Sequence, residues 1–578
     1  MTKLNRERRA FPFVHDEPIP MRDGTILRAD VYRPDTSGQF PVLLVRTPYG
    51  EPFVRQAPVT PLLEAGIAVV VQHVRGTGDS DGDFLPFARE ADDGVDTIEW
   101  CAGQTWCDGQ VGMLGGSYSG MVQFAVAPEA PALRVLVPVI APADYHWGLA
   151  YRQGALQQGQ LHGWYVLKSW QQLARAAQTG ADAGPEAAQL RAALSDPAAV
   201  HGGRPLRDLP MAEEMRPGWL GALEHEERDE YWEALSYRRR RDRIRIPALH
   251  VGGWFDLFND GTLDNFTTLT ASSGAEQRLI VGPWSHTNRT GTIGELSFGP
   301  SASDAAAGLE RAETDFLARH LAGRTDTPAG PSVTLFVMGE NVWRHEQEWP
   351  LARTAWTPWY LHATGGLSPV APDAGTAPST FVHDPADPVR TVGGATLING
   401  GADGGPGYEA GPRDQRVLDH RDDILRFTSA PLTEDVEVTG PVKVVLYAAT
   451  TAQDTDFTAR LVDCLPDGRA MGVTDGIVRA RFREGPDKAV PIRPGRPYRY
   501  VIDLMPTSQV FKAGHRIRVD IAGSNFPCYD VNPGNGASAG TATTADFVVA
   551  QQTVFHDASR TSHIVLPVVP RSPKSPRD

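Results

Sequence analysis

The sequence predicts an α/β fold: a mostly parallel sheet with helices on both faces, interrupted by a helical cap and followed by a C-terminal β-sandwich of jelly-roll type. Three observations carry this reading. Valine-rich apolar runs alternate with helical patterns in two blocks, strand signals vanish between those blocks, and short strands without long helices fill the C-terminal part. Strands interleaved with helices imply a parallel sheet, whereas many short strands set off by turn signals imply a sandwich.

Along the chain, residues Thr25 to Tyr32 roughly alternate polar and apolar side chains, as a half-buried strand does. Pro41 to Val45 and Ile67 to Val71 are continuous apolar runs, suited to strands buried on both faces. A helical pattern runs from Asp92 to Trp100. The strand at Val111 then leads into a helical stretch from Met121 to Ala127. From about Asp144 to Asp242 Ala, Gln, Arg and Leu dominate, as in Ala174 to Gln178 and Ala187 to Leu194. These are good helix formers and predict a lid over the sheet. Parallel strands resume at Ala248 to Gly252 and Arg278 to Val281. After about Trp356, Pro441 to Tyr447 and His515 to Ile521 read as sandwich strands, with turns at Asn399-Gly400 and Asp467-Gly468. The expected organisation is a core in two parts (1–144 and 243–354), a helical cap (145–242), a β-sandwich (355–570) and a disordered tail (571–578).

Composition narrows the function. At 578 residues the chain exceeds one hydrophobic core. A formal charge of −15 argues against a nucleic-acid partner, which needs a basic surface. No apolar run approaches the roughly 20 residues that span a bilayer, and the basic start Met1 to Arg9 has no apolar stretch behind it, so neither membrane nor secretion is expected. The four cysteines, Cys101, Cys107, Cys464 and Cys528, form no Cys-x-x-Cys pair. Reduced thiols in a cytoplasmic protein are expected, with Cys101 and Cys107 the two near enough in sequence to meet. The basic run Arg238 to Arg241 reads as a solvated, salt-bridged boundary.

The chemistry centres on Gly115-Gly116-Ser117-Tyr118-Ser119-Gly120, where an apolar strand runs into a Gly-flanked serine and then a helix. This is the layout of a nucleophile elbow, although Ser119 stands where the G-x-S-x-G pattern has its second glycine. A serine nucleophile needs a base, and the base an anionic partner. On such a sheet these follow later strands in the order Ser, Asp, His. The Ala248 strand ends in Gly253-Trp254-Phe255-Asp256, and the Arg278 strand in Gly282-Pro283-Trp284-Ser285-His286. Ser117, Asp256 and His286 are therefore the expected triad, with Asp260 and Asp264 as competing acids. The Tyr118 amide is the expected first oxyanion donor. The second should come from the loop after the Val42 strand, Arg46-Thr47-Pro48-Tyr49-Gly50, through the Tyr49 hydroxyl. The stretch Gly76 to Gly82 imitates a dinucleotide loop but has no glycine at the final spacing, and counted from Asp79 a calcium loop would need glycine at Phe84. Neither is expected, and no cofactor or metal is assigned.

Residues 115–120, the run Arg46 to Tyr49, Arg75-Gly76, Gly253 to Asp256 and Gly282 to His286 together resemble the bacterial cocaine esterases, relatives of X-Pro dipeptidyl-peptidases and α-amino-acid ester hydrolases. The similarity continues through Leu335 to Gly339, Asp454 to Thr458, Gly514 to Ile517, Ser524 to Pro527 and His563 to Pro567. The resemblance implies an α/β-hydrolase core, a helical cap and a C-terminal jelly roll. It also implies Ser117, Asp256 and His286 as triad, Tyr49 and Tyr118 as oxyanion donors, and Trp164, Phe258 and Trp147 around the acyl group. Around Trp147 the cap segment aligns only with a gap. The expected activity is hydrolysis of a small-molecule carboxylic ester with a bulky or aromatic acyl group, with a homodimer left open. The alternatives are an X-Pro dipeptidyl-peptidase or α-amino-acid ester hydrolase, whose ammonium-binding carboxylates would come from Glu224, Glu226, Glu227, Asp229 and Glu230, and, remotely, a non-catalytic carbohydrate-binding protein.

Overall fold

The computed structural model describes residues 11–50, 59–178, 184–195, 201–326, 329–398 and 409–570. Among them, ten strands form one sheet: β1 (Phe13–Pro20), β2 (Ile26–Tyr32), β3 (Phe40–Thr47), β4 (Ala68–His73), β5 (Cys107–Gly116), β6 (Leu133–Val139), β7 (Ala248–Phe255), β8 (Gln277–Ser285), β9 (Val333–Val337) and β10 (Val342–Glu346). They stand in the order β1-β2-β4-β3-β5-β6-β7-β8-β9-β10. Pairing is parallel from β4 to β9 and antiparallel at the two edges.

The valine-rich runs are buried because both sheet faces are covered. On β3, Val42 and Leu44 pack with Ile98 of α2 (Glu90–Ala102) and Phe124 of α3 (Tyr118–Val126). Leu43 and Val45 point the other way, into the cluster that holds Leu62 of α1 (Val59–Glu64) and Phe316 and Leu317 of a helix at Leu309–His320. Each such side chain removed from water contributes about 1.5–3 kcal/mol.

The cap lies between β6 and β7. Among the described residues its α-helices are α4 (Gln158–Gln178), α5 (Gly184–Ser195), α6 (Arg216–Glu224) and α7 (Glu230–Leu235). Buried Trp219, whose indole N–H donates to the Leu206 carbonyl (2.9 Å), and a hydrogen bond of 2.7 Å from the Tyr151 hydroxyl to the Ala222 carbonyl fix α6 within the cap. At the cap's end Arg238 and Arg239 reach Asp144 (3.6 Å) and Glu233 (3.1 Å) as a solvated boundary should. Arg241 departs from that reading. It is buried and donates to Asp264 (2.7 Å) and Asn265 (2.5 Å) of α8 (Asn259–Ser272), because a charge at this seam is stable only when paired.

From Ala355 onward the chain is a β-sandwich, a nine-stranded sheet facing a four-stranded one, paired antiparallel. Leu446, Phe457, Tyr500 and Ile564 fill the space between the sheets. Gly468, at φ +92°, supplies the turn between strands Asp456–Cys464 and Ala470–Arg479. The Asn399-Gly400 turn and the 571–578 tail lie outside the described residues. A buried charge network joins sandwich and cap. Arg479 donates to Asp456 (2.9 Å) and Asp530 (2.8 Å), Asp530 accepts from the Leu156 amide (2.8 Å), and Arg481 bridges Asp454 and Glu226. All four cysteines are free. Among the described residues no helix is long and apolar enough to cross a membrane.

Candidate active site

Strand β5 ends at Gly116 and α3 begins at Tyr118, so the chain reverses on one residue. Ser117 takes φ 56° and ψ −124°, a conformation that costs a side-chain-bearing residue of order 1–3 kcal/mol. Its amide is anchored on the Val139 carbonyl (2.9 Å), and its own carbonyl accepts from Gly120 and Met121 (2.9 Å each). The helix packs so closely on the strand that a Cβ on Gly115 would lie 2.4 Å from that of Ser119. Gly115 thus makes room for a serine where the usual elbow has glycine.

Register then gathers the other groups. Ser285 of β8 pairs with Phe255 of β7, so the next residues on each strand, His286 and Asp256, emerge side by side. This needs a bare backbone: a Cβ on Gly253 would stand 2.4 Å from the Trp284 carbonyl. Asp256 is fully buried. Its Oδ1 accepts from the Phe258 amide (2.7 Å), while Oδ2 lies 2.6 Å from His286 Nδ1. His286 Nε2 lies 3.1 Å from Ser117 Oγ. The competing acids are engaged elsewhere, Asp260 with Arg152 (2.8 Å) and Asp264 with Arg241.

Two further polar groups lie beside the serine. Tyr118 is the first residue of α3, and an amide in that position has no acceptor within its helix. The Tyr49 hydroxyl is hydrogen-bonded to the Ser117 side chain and also accepts from the Trp164 indole N–H at 3.1 Å. An indole N–H only donates, so this contact occupies a lone pair of the phenol and leaves its proton for Ser117. Burial pushes the Tyr49 phenol above its ordinary range and keeps it protonated.

Sequence reasoning missed the layer beneath. The Tyr118 phenol donates to Glu90 Oε1 (2.7 Å), and Glu90 is paired with the wholly buried Arg46 (2.6 Å). Burial raises the Glu90 carboxyl, and Arg46 opposes that shift. Lys168, from α4, donates to the Pro48 carbonyl and sits 5.5 Å from the Tyr49 ring centroid; burial pushes it down to about 7. The one signal in the sequence is a charged residue, Arg46, directly after an apolar strand.

Ser117 opens onto a cavity walled by Phe87, Tyr118, Trp164, Leu161, Leu257 and Phe258. Tyr118, Phe87 and Trp164 pack as a trio of rings, Tyr118 lying 4.4 Å from Phe87 and 6.2 Å from Trp164 with 6.5 Å between the latter two, and Phe258 meets the His286 ring edge-on at 5.4 Å. Trp147 is not among the lining residues. It is half-buried and its amide donates to Asp144, since the chain turns away from the cavity there. None of the five cap carboxylates lines the cavity either. Glu226 pairs with Arg481, Glu227 accepts from the Ala489 amide, Asp229 caps α7, and Glu224 faces Arg207. Among the described residues no cluster of three or more His, Cys, Asp or Glu side chains has the arrangement of a metal site.

Residues 23–288 match the family of X-Pro dipeptidyl-peptidases (S15 family), and residues 327–565 match the X-Pro dipeptidyl-peptidase C-terminal non-catalytic domain. The chain is 40% identical over 575 residues to the cocaine esterase of Rhodococcus sp. (strain MB1 Bresler), covering 96% of this chain and 98% of that one. An α-amino acid ester hydrolase structure superposes with a TM-score of 0.78 at 25% identity, over 98% of this chain and 100% of that one. An aminopeptidase from the marine sediment archaeon Thaumarchaeota archaeon has the same fold, with a TM-score of 0.81 at 24% identity over 98% and 99% of the two chains.

Proposed function

The chain belongs to the family of bacterial cocaine esterase-like serine hydrolases, which carry the S15 signature, and from that premise we propose that this ester hydrolase cleaves small-molecule esters of aromatic acids through an acyl-enzyme on Ser117. The observation that carries the acyl preference is the cavity beside the serine, walled by aromatic rings and lined by no carboxylate.

In this reading His286 takes the Ser117 proton as Oγ attacks the ester carbonyl. Asp256 holds the imidazole with Nε2 toward the serine and stabilises the imidazolium that forms. The Tyr118 amide and the Tyr49 hydroxyl receive the negative charge that develops on the carbonyl oxygen. His286 then returns the proton to the leaving alcohol, and later activates the water that releases the acid. The Ser117 to His286 contact of 3.1 Å and the Asp256 to His286 contact of 2.6 Å support these roles. The unbonded thiols fit a cytoplasmic location.

An α-amino ester or Xaa-Pro substrate brings an ammonium group, and burying it against apolar rings without a carboxylate is costly. A hydrolysis panel tests the reading. Benzoyl esters should outrun short aliphatic esters, amino-acid esters and Xaa-Pro amides, with Ser117→Ala as blank. Faster turnover of the amino-acid esters or the amides would reverse it.

A further inference from the structure

Three glutamines stand close together at the start of α4, all at least nine-tenths buried, and one behaves unlike the others. Gln157 Nε2 donates to the Gly148 carbonyl (2.8 Å) and Gln158 Nε2 to the His201 carbonyl (2.7 Å). Gln160 is 3% exposed and lines the catalytic cavity, and neither its Oε1 nor its Nε2 has a hydrogen-bond partner among the described residues. Leaving a buried amide unpaired costs stability on both its donor and its acceptor, so a native protein rarely holds one without a use for it. Tyr145, also wholly buried, lines the same cavity, and its hydroxyl likewise has no partner among the described residues.

Helix spacing places Gln160 relative to the chemistry. It precedes Trp164 by four residues, so the two side chains share one face of α4 about 5–6 Å apart. Trp164 bonds Tyr49, which bonds Ser117. The free amide therefore lies a full turn along the cavity wall from Trp164, the residue that holds the hydroxyl bonded to Ser117. A polar substituent α to the ester carbonyl would stay near Tyr49, whereas one across a six-membered ring would come to the amide.

We propose that Gln160 is a specificity-determining residue, and that the aromatic acyl group of the preferred ester carries a ring hydroxyl remote from the carbonyl, which pairs with the Gln160 amide. A phenol suits this amide in both directions, donating to Oε1 or accepting from Nε2. Water can serve the amide before substrate arrives. An unsubstituted ring displaces that water and returns no hydrogen bond, whereas a hydroxyl replaces it. The inference rests on the aryl-esterase reading above and refines its acyl group.

The test compares benzoyl with 3-hydroxybenzoyl and 4-hydroxybenzoyl esters of one alcohol, each rate normalised to its alkaline hydrolysis. In the wild type one hydroxylated ester should lead in kcat/KM by about tenfold or more. In Gln160→Met, a change of similar length that keeps the helix, that ratio should collapse to about one, with the unsubstituted ester gaining. Gln160→Leu gives a second apolar side chain should the first disturb folding, and fluorophosphonate labelling of Ser117 counts the folded sites in each. A wild type that hydrolyses benzoyl esters but shows no preference for either hydroxylated one overturns this inference and leaves the aryl-esterase reading standing. So does a preference that survives both substitutions. Loss of aryl-ester turnover altogether, with acetyl esters still cleaved, overturns both.

Discussion

In the β-sandwich Arg479 spends its guanidinium on Asp456 and Asp530, and Asn532 donates to Asp454 and Asp456. Around Ser117 the polar groups are left partly open. The Tyr118 amide heads its helix without an acceptor inside it, the Tyr49 hydroxyl is hydrogen-bonded to the serine, and the amide of Gln160, a residue that lines the cavity, has no partner among the described residues. Both regions bury polar atoms at a cost. The Arg479 network offsets much of its cost within the native state, by pairing opposite charges. The region around Ser117 holds backbone strain at that residue, and on the function proposed above its open valences are completed by the reacting ester. Substitutions should therefore separate cleanly: changes to the groups that touch Ser117 and His286 should alter rate at constant stability, and changes in the sandwich network should alter stability at nearly constant rate.

The largest effect should come from Asp256→Asn, which keeps the shape of the side chain but no longer holds the imidazole in its working tautomer. A loss of about 10⁴ in kcat is expected with an unchanged melting temperature. A drop of similar size in Asp260→Asn, whose partner is Arg152, would mean that the wrong carboxylate has been paired with the base. Next comes Arg479→Met, which strands two buried carboxylates. Urea titration should show about 3–5 kcal/mol of lost stability, while the folded fraction labels with fluorophosphonate within a few fold of wild type. Collapsed labelling at unchanged stability would break the contrast between the two regions.

Tyr49→Phe keeps the ring over Lys168 and removes one hydrogen bond that is strongest in the transition state. A cost of about 10²–10³ in kcat, with KM nearly constant, is expected. An unchanged kcat would make Tyr49 structural. The smallest test concerns Glu313, a buried carboxyl of the catalytic half that burial pushes up to about 7, with Arg289 opposing the shift. Its folded pKa exceeds the unfolded one, so its contribution to stability is complete below pH 4.5 and is lost as pH rises through about 7. Denaturant titrations should show Glu313→Gln flattening that fall by on the order of 3 kcal/mol. An unaltered pH profile would count against it.

Much of the catalytic half is legible in the amino-acid sequence. Residues Pro41 to Val45, Ala68 to Val71 and Ala248 to Gly252 form strands because a continuous apolar run of that length is stable only between two covering layers. Ser117, Asp256 and His286 can be named together because each follows its strand, and parallel register turns that sequence position into proximity. The cap is legible only as helix. Which of its faces meets the cavity depends on packing across a hundred residues or more. Trp147, expected at the acyl group, therefore stands outside it, while Gln160 and Lys168 give no sign in the sequence of their places. Pairings such as Arg46 with Glu90, or Arg479 with Asp530, join residues too far apart in sequence for local pattern to connect.

The most direct test is to trap the acyl-enzyme. The protein is mixed with a benzoyl ester, quenched in acid within milliseconds, digested, and its peptides weighed. A benzoyl increment on the peptide containing Ser117, absent from Ser117→Ala and accumulating in His286→Ala only far more slowly, is the expected result. A benzoyl group on any other residue, or ester hydrolysis persisting at the wild-type rate in Ser117→Ala, would contradict it.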